Sequence, residues 1–295
     1  MLRFFIIIVT IFTTLNAPGQ QWSGVAQGID HDINALEVFD GKLYVAGTFI
    51  EIPGYGPSRS IASWDGMQWD TLLFKSGNGA PSYNALKTMQ GALFVGGNNV
   101  SHFIYEYDGL DMWDGSQWTT VISNLGSPVQ YINDIAEHDG DLYVGGPFLG
   151  VNDTAVSMVA RWDGTAWDDL QGGVSGQFQE VRCLESFDGS LYVGGSFNTA
   201  GGIPAWHIAR WDGQQWDSLA GGVWGSPTDM VVDTVNDLLY VGGNFDLVDY
   251  EYRPWVAAWD GQSWHGLDGS ARFLGVWTVE MYRGQLFAAG NGMGH

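Results

Sequence analysis

The chain has 295 residues, with 11 basic side chains against 33 acidic ones and a formal net charge of −22. Such a surface repels phosphate, so nucleic acid and anionic lipid are excluded as expected partners. Cys183 is the lone cysteine, which excludes a disulfide framework; a chain carrying 15 tryptophans and 43 glycines is expected to be held by its core instead.

Residues 1–19, MLRFFIIIVTIFTTLNAPG, read as a secretory signal. Arg3 supplies the positive start, Phe4 to Leu15 the apolar run, and Ala17-Pro18-Gly19 the cleavage site. The apolar run is shorter than the roughly 20 residues of a membrane span; the alternative is an uncleaved anchor. The mature part, 20–295, is expected to be one extracytoplasmic domain, secreted or at the cell surface, with no membrane insertion after cleavage.

From Trp22 onward one phrase recurs. Trp64-Asp65-Gly66 with Trp69, Trp113-Asp114-Gly115 with Trp118, Trp162-Asp163-Gly164 with Trp167, Trp211-Asp212-Gly213 with Trp216, and Trp259-Asp260-Gly261 with Trp264 share one spacing. Successive second tryptophans lie 47 to 49 residues apart. The repeats run from about 22–69 through 69–118, 118–167, 167–216 and 216–264 to a partial 264–295. Each full period carries four short segments, such as INALEVFDG, KLYVAGTF, SIASWDG and MQWDTL in the first. They are rich in β-branched and aromatic residues and bounded by Gly and Asp, which is strand patterning.

Asp-Gly lies between segments one and two and again between three and four. The pair predicts two-residue hairpins with both central residues at positive φ. Two hairpins per period make a four-stranded antiparallel sheet, and a period near 48 residues is the size of a propeller blade. The glycine pairs closing segment two (Gly96-Gly97, Gly145-Gly146, Gly194-Gly195, Gly242-Gly243) predict close backbone approach and a positive-φ exit from the strand. Cys183 aligns with Ala35 and Ala85, so it is expected to be a small buried filler, a reactive thiol being the alternative. The eleven repeating tryptophans, Trp22 included, are expected to lie between neighbouring sheets. A buried indole hides about 150–250 Å² and contributes at most about 4–6 kcal/mol.

The fold class expected is therefore all-β, a β-propeller of four-stranded antiparallel blades. Six blades are expected, the strand around Trp22 closing the last, incomplete one. That blade lacks its third strand, so the sequence is expected to be a fragment whose C terminus lies further on.

On these residues the chain resembles the kelch repeat, with its apolar strand, glycine pair, aromatic-Asp step and later Trp, although the aromatic-Asp-Gly-x-x-Trp turn is shorter. It is closer to the Trp-Asp-Gly repeat propellers secreted by bacteria, and similar to the repeats of fungal cortical marker proteins. The resemblance covers about residues 21–290 and places the chain with the propellers typified by the central domain of galactose oxidase. It implies the fold and leaves the activity open. The copper chemistry of galactose oxidase needs a cysteine cross-linked to a tyrosine, and Cys183 sits in a first strand away from the loops. His31, His102, His138, His207, His265 and His295 show no ligand spacing. No metal and no cofactor are expected. A sialidase-type site would need three convergent arginines and a different turn.

Function is expected on the rim that carries the long, variable loops, among them 50–60, 98–111, 148–157, 198–206 and 246–254. The aromatics that do not fit the repeat fall there: Tyr55, Tyr105, Tyr107, Trp206, Trp224, Tyr250, Tyr252 and Trp255. Aromatic faces beside Asp and Asn suit sugar rings; the alternative is that they pack the loops down. Trp277, in a first strand, reads as filler. The expected function is a non-catalytic binding module for a carbohydrate or a protein. The alternative is a glycan-active hydrolase or lyase using paired acids from Glu51, Asp108, Asp111, Asp153, Asp246, Asp249 and Glu251.

Overall fold

The computed structural model describes residues 29, 31–58, 60–72, 82–98, 109–126, 130–176, 180–267 and 273–292. Among them all regular structure is strand. The chain divides into two compact units, one of Ala17–Asp169 and one that includes Leu170–His295. The first holds three four-stranded sheets. Their strands are Ile33–Phe39, Lys42–Gly47, Ile61–Trp64 and Trp69–Thr71; Ser82–Met89, Ala92–Asn98, Leu110–Trp113 and Trp118–Ile122; then Asp134–His138, Asp141–Gly145, Val159–Trp162 and Trp167–Asp168. The second unit holds two more, Glu180–Phe187, Ser190–Ser196, Ile208–Trp211 and Trp216–Ser218, then Val223–Asp233, Leu238–Val248, Val256–Trp259 and Trp264–Gly266. Phe273–Tyr282 and Gln285–Gly292 follow as a two-stranded sheet. Each four-stranded sheet is an antiparallel meander in chain order, the blade of a β-propeller. The segment around Trp22 lies outside the described residues.

The two hairpins of each repeat are built differently. Between first and second strands the expected turn forms: Asp40 and Gly41 have φ of 49° and 73°, Asp188 and Gly189 47° and 67°. Between third and fourth strands the two-residue turn does not form. Trp64 pairs directly with Trp69, leaving a four-residue loop in which only Gly66 has positive φ. The Asp65 carboxylate closes it by accepting the Met67 and Gln68 N–H groups, both at 2.8 Å. Asp114, Asp163, Asp212 and Asp260 repeat this arrangement. The accepted N–H groups hold the first four of these carboxyls below the ordinary range, Asp114 and Asp163 at about 2, while the His265 ring does most to lower Asp260.

The paired indoles pack on each other across that hairpin, with centroids 5.3 Å apart for Trp64–Trp69 and 5.1 Å for Trp259–Trp264. In the second unit they also reach the neighbouring repeat. Trp216 donates Nε1–H to Leu170 O at 2.6 Å, and Trp264 points at the matching Leu219 O at 3.4 Å. Trp259 donates to the Tyr192 hydroxyl at 3.2 Å. The Trp69 and Trp211 N–H groups are buried without an acceptor among the described residues.

First strands are stitched to one another at a recurring bulge, where one residue is left out of the pairing with the second strand. Asn34 Nδ2 donates to Tyr83 O at 3.0 Å, Asn84 Nδ2 to Ile132 O at 3.1 Å, and Thr228 Oγ1 to Val276 O at 2.7 Å. The residue after Thr228, Asp229, accepts the Thr278 hydroxyl at 2.6 Å and the Val279 N–H at 2.8 Å.

The glycine pairs lie where backbones and side chains crowd, but none has the positive φ expected of it. A Cβ on Gly242 would lie 2.7 Å from Val279 Cγ1, and one on Gly243 2.3 Å from Ser226 O. Close approach alone therefore requires them. Cys183 is buried opposite Gly194, in the register that Ala35 and Ala85 occupy.

Candidate functional site: an aromatic platform

The long loops are more regular than their sequences suggest. Those after the second strands form miniature hairpins, such as Thr199–Ala200 with Ile203–Pro204, or extend the sheet, as at Val248–Glu251. In the Leu170–His295 unit three segments meet: 203–207, 219–224 and 247–252. Val223 N–H donates to Trp206 O, Asp249 N–H to Gly222 O and Gly222 N–H to Leu219 O, each at 2.9 Å. His207 donates Nδ1–H to Val223 O at 2.7 Å.

Their aromatic side chains form one surface. Trp206 and Trp224 stack with centroids 5.9 Å apart and planes at 23°. Tyr250 leans on Trp224 at 6.0 Å and 59°. Trp206 is 45% exposed, Trp224 47% and Tyr250 67%. Gly221 and Gly222 let the segments close up: a Cβ on Gly221 would lie 2.5 Å from Tyr250 Cε2, and one on Gly222 2.7 Å from Trp206 Cβ. The Asp249 carboxylate sits beside the Tyr250 ring and is oriented by Gly221 N–H, which donates to Oδ1 at 3.0 Å.

Comparison with the preceding repeat shows what is added. Val174 pairs with Ala200 and Ser175 with Thr199, as Val223 pairs with Val248 and Trp224 with Leu247. Trp224 thus replaces a serine whose hydroxyl meets Thr199 Oγ1 at 2.6 Å. Tyr250, at φ 62°, stands where Gly202 has φ 81°, and Trp206 stands where Ser157 precedes Met158. The frame is complete with Ser and Gly at these positions. A bulky side chain in the left-handed region costs on the order of 1 kcal/mol.

The other expected site residues fall elsewhere. Tyr55 occupies in the first repeat the hairpin position of Tyr250 and is exposed, but has no ring neighbour among the described residues. Tyr252 is exposed and likewise makes no ring contact among them. Trp255 does not join the platform: it is half-buried against Val256, Val276 and Val279. Tyr105 and Tyr107 lie outside the described residues. Trp277, read as filler, is half exposed and is itself the residue left out at the bulge of its strand.

Among the acids, Asp111 is not in a loop. It lies buried in the strand Leu110–Trp113, where Thr120 Oγ1 donates to it at 2.8 Å. Asp108 is outside the described residues; Glu51 and Asp153 lie in the first unit, and Asp246, Asp249 and Glu251 around the Tyr250 hairpin. The carboxyl pushed up to about 6, mainly by burial, is Asp229, whose oxygens are already taken by Thr278, Val279 and Met230. His265 Nε2 and Ser263 Oγ both approach Asp260 Oδ2, at 2.7 and 3.0 Å. Imidazole and hydroxyl share one acceptor there, which is a turn cap and not an activated nucleophile. No group of three or more His, Cys, Asp or Glu among the described residues is placed to hold a metal ion.

A family model described as a domain of unknown function (DUF5122), beta-propeller, matches residues 188–211, from the first turn of the fourth sheet to Trp211. No curated protein matches the chain. Among solved structures it is similar to the crystal structure of the computationally designed Ika8 protein, with 15% identity and a TM-score of 0.52 over 90% of this chain and 70% of that one. The sheets and these likenesses agree on a β-propeller.

Proposed function

We propose that this chain is a non-catalytic binding module that acts outside the cytoplasm and takes a glycan on the platform of Trp206, Trp224 and Tyr250. The observation that carries the proposal is the coincidence of three small-to-aromatic replacements on one exposed surface of an otherwise repeated frame. Packing explains the repeated tryptophans, but it does not require these three. Indole and phenol faces offer a flat apolar bed for the C–H face of a sugar ring, and polar groups at the border bond its hydroxyls. The extracytoplasmic placement rests on reading residues 1–19 as an export signal. The binding reading is preferred to a glycan-active enzyme because its support is an assembled aromatic surface.

The test is a glycan array probed with the mature protein and with Trp224→Ser, which restores the residue of the preceding repeat. Binding of a glycan class weakened about tenfold or more in the variant, about 1.4 kcal/mol, is the expected result. Unchanged binding would remove the platform from the account, and turnover of the bound glycan would favour the enzyme.

A further inference from the structure

The platform lies in an acidic setting. Asp246, Asp249 and Glu251 stand on or beside the hairpin that carries Tyr250, and Asp246 and Glu251 are exposed. Arg253, whose Nη1 donates to Val248 O at 2.9 Å, is the one cation in residues 246–253, against three carboxylates. Asp249 is held in place by Gly221 N–H on Oδ1, and its Oδ2 has no partner among the described residues. The whole chain adds to this field with a net charge of −22. A uronic or sulfated sugar would meet repulsion here, whereas an ammonium beside the rings would gain both from Asp249 and from the aromatic faces.

We infer that the ligand of the platform is a glycan of amino sugars with free amines, the ring lying on Trp206 and Trp224 and an ammonium meeting the Asp249 carboxylate. The inference rests on the proposed glycan-binding role and names the charge of its ligand. Rings fix the sugar face and accept neutral and cationic sugars alike, so discrimination falls to the carboxylate. Asp249 is suited to this because a carboxylate tethered through one oxygen keeps its direction with little ordering left to lose on binding.

The experiment is calorimetric titration of the mature protein at about pH 5.5. The probes are a fully deacetylated β-1,4-glucosamine oligomer, its N-acetylated counterpart and a uronic acid oligomer of the same length. The expected result is that the deacetylated oligomer binds about tenfold tighter than the acetylated one, a difference of about 1.4 kcal/mol, and that the uronic acid oligomer does not bind. Asp249→Asn, which keeps the oxygen that accepts Gly221 N–H, is expected to bring the affinities of the two sugars within about threefold of each other. Trp224→Ser keeps every charge and is expected to lose both. Equal affinity for the two sugars, or an advantage that survives Asp249→Asn, would overturn the amine assignment and leave the platform standing. Equal binding of the deacetylated oligomer to Trp224→Ser would reduce the attraction to diffuse charge and overturn it too. If none of the three oligomers binds the native protein, this inference fails, while the glycan array decides the proposed function separately.

Discussion

At the residue scale, the tryptophans divide by what their N–H groups and rings do. Trp216 is buried, and its indole reaches the Leu170 carbonyl 46 positions earlier. Trp216→Phe keeps an aromatic ring and removes the donor, so it is expected to cost about 1–3 kcal/mol in denaturant unfolding. Trp216→Ala also opens a cavity and is expected to cost about 3–5 kcal/mol. Equal losses in the two variants would mean that the ring adds nothing beyond the hydrogen bond, and no loss in Trp216→Phe would mean that the hydrogen bond adds nothing. Asp229 offers a second residue-scale test. Burial raises its carboxyl to about 6, against two N–H donors and the Thr278 hydroxyl, which favour ionisation. A folded-state value above the unfolded one means that its contribution to stability is fully present below about pH 4 and lost as the pH rises through about 6. Thr278→Val removes one of those donors, so the Asp229 midpoint, followed by carboxyl NMR, is expected to move upward; a downward shift or none would contradict this.

At the element scale, the repeat is legible wherever one residue type has one job. Asp-Gly in the first turn, the bulky pair flanking the second, and a small residue at 35, 85 and 183 are local demands, and the sequence states each of them. What could not be read is which backbone solution a motif adopts. The same Asp-Gly pair makes a two-residue turn after the first strand and an Asx-capped four-residue loop after the third. There the direct pairing of two indoles, Trp64 with Trp69, fixes the loop length instead. The stitching of first strands was hidden for another reason: the bulge position that holds Asn34 and Asn84 holds Arg182 and then Thr228 in later repeats, so no single residue type marks it. Thr228→Val is expected to strand the Val276 carbonyl and cost about 1–3 kcal/mol in the unfolding free energy, with the binding surface unaltered. A neutral result would show that water serves the carbonyl as well as the threonine does.

At the scale of the whole molecule, the repeat holds the frame and departures from it mark the site. Five of the eight off-pattern aromatics chosen from the sequence are described outside the platform or lie beyond the described residues; three assemble. Aligning each loop to its neighbour separates the two groups better than counting aromatics, because Trp224 over Ser175 and Tyr250 over Gly202 are replacements the fold does not ask for. The Gly221-Gly222 seat and the position of Asp249 were not legible, since both depend on three distant segments closing together. The charge imbalance acts on the molecule as a whole: at −22, self-repulsion opposes the compact state and salt screens it. The melting temperature at pH 7 is therefore expected to be higher at moderate ionic strength than at low; a fall would contradict this.

The measurement that bears most directly on the account is glycan affinity in the triple variant Trp206→Ser, Trp224→Ser, Tyr250→Gly, which carries at each position the residue of the matching site one repeat earlier. Packing in the frame does not depend on these side chains and the left-handed backbone at 250 is relieved, so stability is expected to stay within about 1 kcal/mol of the native chain, while glycan binding is lost. A variant that unfolds would show that the three rings serve the fold, and one that binds as the native protein does would show that the site is elsewhere.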